Sequence, residues 1–447
     1  MSAGPCKLEH MFDLGMPATA LDAGRVRDWV TQLAEVADGQ GAADDRGRVD
    51  LIAALEELKC AAEGLQADLA VAVDGSMRRR AAEQGIPAAR QGQGVAAEIA
   101  LARRESLHRG QQHLGLAKVL AGELPFTRDA LRAGRITEWR ATIIARETGC
   151  LSRADRLEVD RRVAGDPDSL EAMGDRELAG AVRREAYTMD AAAWVTRRRI
   201  AESERRVTLR PAPDVMSRLG AELPVAQGVA VLKSLREHAD SLRSAGDPRS
   251  RQQVMADTLV ARILGTEAAT RLPVAVHVVV ADDVLFGTHD EAAHLDGYGP
   301  IPAELARELT AVATDDSLAQ LRRLYVTPGT GDLVAADSRS RRFPDGLAQL
   351  IRLRDQTCRT PWCDAPIRHL DHAHDAAELG PTSQANGQGL CEACNHAKQA
   401  PGWRARPGPG ARHLIEITSP SGRTYHSTAP PSPRHRIDVR WPVVLVA

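Results

Sequence analysis

A mostly helical N-terminal domain with a few late strands (α+β overall), followed by a small cysteine-stapled ββα domain, is the fold class that this sequence predicts. Three observations carry it. Leu51, Leu55, Leu58, Leu65 and Leu69 recur at helical spacing through an Ala-, Arg- and Glu-rich stretch. Alternating β-branched runs appear only later, from residue 207 onward. Near the C-terminus, two cysteine pairs bracket a polar segment that reads strand, loop, strand, helix. The expected boundaries are 20–335 for the helical domain, 343–405 for the small domain and 406–447 for a C-terminal hairpin and Pro-rich tail.

Taken in order, residues 20 to 265 read mostly as helices, and the five leucines predict one apolar stripe on a long charged helix. Thr137 ahead of Glu138-Trp139-Arg140, and Ser152 three residues ahead of Asp155, are N-cap signals. A side-chain oxygen there accepts a backbone N–H that the helix leaves unpaired. Val207-Thr208-Leu209-Arg210 predicts a short strand stopped by Pro211. Pro273 to Val280 alternates, with Val274, Val276, Val278 and Val280 on one side, and predicts another strand in which His277 is a half-buried polar residue. Pro328-Gly329-Thr330-Gly331 predicts a hairpin turn within Leu324–Ala335. The Arg-rich stretch Ala336–Arg342 reads as a domain boundary. Pro344 then opens a helix through Leu347, Leu350, Ile351 and Arg354 that leads to Cys358. Ser419-Pro420-Ser421-Gly422 predicts a last hairpin between Leu414–Thr418 and Arg423–Ser427, before an irregular tail from Ala429.

The chain has 447 residues, so two or three domains are expected. Aromatic residues make up 3%, which leaves Ala, Leu and Val to build the cores. A formal net charge of −2 is no general sign of nucleic-acid affinity, but the charge is uneven. Arg339, Arg341, Arg342, Arg352, Arg354, Arg359 and Arg368 face only Asp345, Asp355 and Asp364 in one stretch, a local surface for phosphates. Of seven cysteines, four cluster and Cys6, Cys60 and Cys150 are scattered, which suits a reducing cytoplasm and a metal site better than a disulfide framework. The opening MSAGPCKLEHMFDLGM carries no charged region followed by an apolar run, and no stretch approaches a membrane span. Gly92-Gln93-Gly94-Val95-Ala96-Ala97 fits a loose dinucleotide pattern, but no strand precedes it. Neither a Walker A loop nor a G-x-S-x-G elbow occurs, so NTP hydrolysis and serine-hydrolase chemistry have no support; no small-molecule cofactor is expected.

The C-terminal cluster names a chemistry. Cys358 and Cys363 form a C-x4-C pair, and Cys391 and Cys394 form a C-x2-C pair after 27 intervening residues. Two thiolate pairs on short loops make a four-sulfur cage for structural zinc. Ile367 to His372 reads as a strand, Asn386 falls in the following loop, Leu390 in a second strand, and Cys394-Asn395-His396-Ala397-Lys398 starts a helix. Asp371 and Asn395 then offer oxygen ligands from strand and helix, a hard set that suits Mg²⁺ or Mn²⁺. His372 can take a proton from water at neutral pH, and Asn386 is a candidate to orient its ring. Adjacent strand residues point to opposite faces, so Asp371 and His372 share a site only at a strand end or a strong twist. His369 is a candidate for the metal or a phosphate, His374 and His396 for solvent-facing or supporting positions, and Lys398 for a phosphate contact or a plain surface lysine.

These residues resemble the HNH nuclease motif in its four-cysteine zinc form. The resemblance implies Asp371 as metal ligand, His372 as general base and Asn386 as the orienting asparagine. Asn395 stands where the third letter is usually histidine, which makes this an H-N-N variant. The longer run HLDHAHDAAELGPTSQANGQGLCEACNHAKQAPGW resembles an actinobacterial family that pairs an HNH domain with the domain of unknown function 222. The blocks GQGVAAEIALARR, LRAGRITEWRATIIARET, GDPRSRQQVMADTLVARILG and LDGYGPIPAELARELT agree with that family upstream, so the resemblance spans residues 20 to 405. Leu379-Gly380 departs from its usual pair of glycines. The expectation is a metal-dependent DNA endonuclease, with a zinc-stabilised DNA-binding or assembly module without turnover as the alternative; oligomeric state and target site stay open.

Overall fold

The computed structural model describes residues 21–35, 44–265, 278–285, 287, 289–295, 298–315, 342–410 and 412–431. Its helices are α1 (Ala23–Ala34), α2 (Asp45–Glu83), α3 (Val95–Arg103), α4 (Leu107–Gly122), α5 (Pro125–Arg132), α6 (Glu138–Glu147), α7 (Arg153–Ala164), α8 (Pro167–Ala172), α9 (Asp175–Met189), α10 (Ala191–Ser203), α11 (Val225–Ser244), α12 (Arg251–Leu264), α13 (Asp282–Leu285), α14 (Ala303–Asp315), α15 (Asp345–Asp355) and α16 (Glu392–Lys398). The strands are β1 (Arg206–Ala212), β2 (Met216–Glu222), β3 (Val278–Val279), β4 (Ala293–Leu295), β5 (Gly299–Ile301), β6 (His369–His372), β7 (Gly387–Leu390), β8 (Arg404–Gly408), β9 (Leu414–Thr418) and β10 (Thr424–Thr428). The chain is mostly helical with small antiparallel sheets, the α+β character that the sequence predicts. The expected hairpin within Leu324–Ala335, residues 273–277 with His277, Cys6, and the boundary stretch short of Arg342 lie outside the described residues. Among the described residues no helix is long and apolar enough to cross a membrane.

The chain divides into two compact units, Met1–Ser76 with His113–Trp194, and Met77–Gln112 with Val195–Ala447. In the first, α5, α6, α7 and α9 pack on one another around Leu124, Leu131, Ile144, Val159, Leu178 and Val182. Thr137 and Ser152 cap α6 and α7 as the sequence predicts, each accepting a backbone N–H three residues on. α5 has no side-chain cap of its own. Asp160 of α7 supplies one from across the core, accepting from Phe126 N at 2.8 Å and Thr127 N at 3.1 Å. The leucine stripe of α2 is not its buried face: Leu55 and Leu69 are exposed, while Cys60, Gly64 and Ala70 are buried. The reason is close approach. A Cβ added at Gly64 would lie 3.0 Å from Arg132 Cα, so only small residues let this face meet α5.

In the second unit, β1 and β2 form an antiparallel ribbon in which β1 runs through Pro211, paired with Ser217, instead of stopping there. A two-stranded ribbon consists of edges alone, where a missing N–H is tolerated. α11 packs on α12, which opens with a capping box of Ser250 and Gln253. A three-stranded sheet, β3-β4-β5, buries Ala293 and Ile301 against Ala306 of α14. α15 follows Pro344 as expected and leads into the cysteines. β6 and β7 pair antiparallel, α16 packs on β6, and a second sheet, β10-β9-β8, continues the chain. The expected 414–427 hairpin is present as β9 and β10. β8 straddles residue 405, and Trp403, Ala405, Ile415 and Ile417 share a core with Ala373, so this sheet packs on the β6–β7 region.

Candidate functional site

The four cysteines of the C-terminal cluster come together. Their sulfurs lie within 4.8 Å of one another, with Cys363–Cys391 at 3.8 Å and Cys363–Cys394 at 3.6 Å. A tetrahedron of Zn–S bonds of about 2.3 Å has sulfur–sulfur edges of about 3.8 Å, so the cluster has the size for zinc. Local structure builds both arms. Cys391 is the N-cap of α16 and its sulfur accepts from Cys394 N at 3.4 Å. Trp362, at φ 60, turns the first pair back on itself, and Cys358 N donates to Ala365 O at 2.9 Å. The crowded thiols shift one another: contacts from Cys358, Cys363 and Cys394 hold Cys391 well below the usual thiol range, whereas Cys394 and Cys363 are pushed up, chiefly by Cys358. A dication at the centre takes such groups as thiolates. Ala97 of α3, Leu107 of α4 and Leu390 of β7 join the cysteines in one core, so the α3–α4 segment is part of this module's packing.

A buried ion pair sets β7. Arg354 and Asp355 close α15 with two hydrogen bonds, Nε–Oδ1 at 2.7 Å and Nη2–Oδ2 at 3.0 Å. Asp355 Oδ2 also accepts from Gly389 N at 2.7 Å, and Arg354 donates to Gly387 O at 2.7 Å and Gln384 O at 2.6 Å. Arg359, buried as well, donates to the carbonyls of His413 and Ser427. Arg354 and Arg359 are therefore structural and unavailable to phosphates; Arg352 and Arg368 are exposed.

On β6 the parity of an ordinary strand holds. Asp371 turns to α16, where Lys398 Nζ lies 2.6 Å from its Oδ2 and also donates to His372 O. His372 is buried and turns to other neighbours: its Nε2 lies 2.8 Å from Thr382 Oγ1, and its ring centroid is 4.6 Å from that of Phe343. Gly387 stands opposite His372 in the register. A Cβ there would come within 2.8 Å of the Phe343 ring, so glycine admits the ring that backs the histidine. Asn386 is almost wholly buried and shapes the loop between the strands. Its Oδ1 accepts from His374 N at 2.8 Å, and its Nδ2 donates to His374 O at 3.0 Å and Pro381 O at 2.8 Å. It fixes the loop that follows His372, while the ring itself reaches Thr382.

Asn395 sits one helical turn before Lys398 on the same face of α16. Its Oδ1 is buried and has no partner. Gln388, directly opposite Asp371 in the register, is 1% exposed with both amide atoms unpartnered. Unmade hydrogen bonds of this kind cost about 1–3 kcal/mol each. An unpartnered amide oxygen is the kind of donor that a hard cation takes. His369, His374 and His396 are all exposed, and His374 Nε2 lies 3.5 Å from Glu378 Oε2. Thr382, Phe343 and Gln388 were not singled out from the sequence. None carries a motif spacing, and only the packing brings Thr382 and Phe343 to the His372 ring.

The family described as Domain of unknown function (DUF222) matches residues 52–355. A relative from Mycobacterium tuberculosis (strain H37Rv), "Uncharacterized protein Rv3776", is 30% identical over 378 residues, which cover 74% of this chain and 69% of that protein. "Uncharacterized protein Rv2100" of the same strain is 34% identical over 131 residues, 29% of this chain and 22% of the relative. "Uncharacterized protein MT2160" of M. tuberculosis (strain CDC 1551 / Oshkosh) matches to the same extent. No solved structure matches. Since the family match covers more than half of the sequence and the first of these relatives aligns along most of both proteins, the chain belongs to the DUF222 family.

Proposed function

We propose that the chain is an HNH-type endonuclease, a hydrolase that cleaves DNA phosphodiester bonds with a divalent metal, its ββα site held together by structural zinc on Cys358, Cys363, Cys391 and Cys394. The observation that carries this reading is the convergence of four sulfurs, a buried histidine next in sequence to a half-buried carboxylate, and an unpartnered amide oxygen on the helix that two of those sulfurs anchor. Asp371 and Asn395 are the residues to hold Mg²⁺ or Mn²⁺, which when bound supplies charge stabilisation at the scissile phosphate. His372 accepts the proton of the attacking water, with Thr382 and Phe343 holding its ring in one orientation. Asn386 acts at one remove, by closing the loop that follows His372. Arg352 and Arg368 supply exposed positive charge for the DNA backbone. Free thiols in the cluster suit the reducing cytoplasm.

A specific observation favours a second reading, a zinc-stabilised DNA-binding or assembly module without turnover. The Asp371 carboxylate already has a cation, the ammonium of Lys398. A plasmid-nicking assay across Mg²⁺, Mn²⁺ and Ni²⁺, run beside His372→Ala, separates the two. Metal-dependent nicking that His372→Ala abolishes, with zinc content and DNA affinity retained, supports the nuclease. DNA binding without nicking in any metal transfers the conclusion to the binding module.

A further inference from the structure

We infer that Lys398 is a tethered placeholder for the divalent cation: its ammonium occupies the acidic side of the site at rest and must leave Asp371 when the cation enters. The inference rests on the assignment of Asp371 and Asn395 as cation ligands. Its basis is an imbalance between the acceptors of β6 and the one that α16 carries. Lys398 Nζ reaches Asp371 Oδ2 at 2.6 Å and the backbone oxygen of His372, two acceptors from consecutive residues of β6. Yet Asn395 Oδ1, one turn back on the same helix face, is buried and unpartnered. The ammonium thus engages the β6 acceptors and leaves the helix acceptor unsatisfied, whereas a cation with several coordination positions suits both. The pair is shielded, with side-chain exposures of 16% for Lys398 and 23% for Asp371, so two positive charges cannot share that carboxylate at low cost. Lysine is suited to such a role because its charge sits on a flexible four-carbon stem that can swing to solvent without moving α16.

The test is Mn²⁺ binding to the full-length, zinc-loaded protein, followed by the electron paramagnetic resonance signal of free Mn²⁺. Lys398→Met is expected to bind Mn²⁺ about tenfold tighter than wild type or better, and Lys398→Arg to bind as weakly as wild type. In wild type, Mn²⁺ should increase labelling of Lys398 by an amine-reactive reagent, read by mass spectrometry, while the exposed Lys59 and Lys233 stay unchanged. The labelling arm needs no variant, so it decides the matter if Lys398→Met fails to fold. Equal Mn²⁺ affinity in wild type and Lys398→Met, with labelling indifferent to Mn²⁺, overturns the placeholder and leaves the cation site standing. No Mn²⁺ binding to either protein overturns both.

Discussion

The guanidinium of Arg354 and the carboxylate of Asp355, neighbours in sequence, face each other through two hydrogen bonds with side-chain exposures of 2% and 0%. The pair ties the end of α15 to the backbone of β7, the strand that runs antiparallel to Asp371 and His372. Removing one member leaves a buried charge without a partner, so Asp355→Ala is expected to destabilise the small domain by about 3–5 kcal/mol. Denaturant melts of the zinc-loaded protein check this, and a loss below about 1 kcal/mol would contradict the structural role.

The same burial divides the arginines that the sequence groups into one basic stretch. Neutralising Arg352 and Arg368 together should lower the slope of log affinity against log salt by about 2, roughly one phosphate contact each. DNA affinity by fluorescence anisotropy over a salt series reads the slope directly. An unchanged slope would place the DNA surface elsewhere on the chain.

Asp160 is a cap borrowed from another helix. Its two oxygens accept Phe126 N, Thr127 N and the Thr127 hydroxyl, and burial raises its pKa against those hydrogen bonds. Asp160→Ala strands two N–H groups at the start of α5 in a closed core, an expected loss of about 2–4 kcal/mol. Calorimetric melting gives the value; restoration of wild-type stability by alanine would refute the cap.

His413 carries a pH dependence. Burial, with Arg354 nearby, lowers its pKa to about 4 from the ordinary 6.5, and its Nε2 lies 2.9 Å from Ala385 O. The folded ring therefore stays neutral where the unfolded ring takes a proton. The stabilisation is complete above about pH 6.5 and is lost as pH falls toward 4, by up to about 3 kcal/mol. His413→Gln should flatten that part of the stability profile relative to wild type. Parallel slopes for the two proteins between pH 4 and 6.5 would remove His413 as the cause.

Much of the small domain was legible because thiolate spacing and strand–helix alternation are local signals. The two caps at Thr137 and Ser152 were legible for the same reason. The buried face of α2 was not, since the leucine stripe satisfies helical period while the packing selects Gly64 and Ala70 for closeness. Pro211 misled because the stop rule assumes a central strand. The company that Asp371 and His372 keep, Lys398 on one face and Thr382 with Phe343 on the other, depends on loop and helix placement that no spacing encodes.

Elemental analysis of the purified full-length chain tests the zinc cage that underlies the site most directly. About one tightly held zinc per chain is expected, lost together with the fold of the small domain in a Cys391→Ser, Cys394→Ser double variant. A well-folded protein with no bound zinc, or a double variant that keeps wild-type stability, would contradict it.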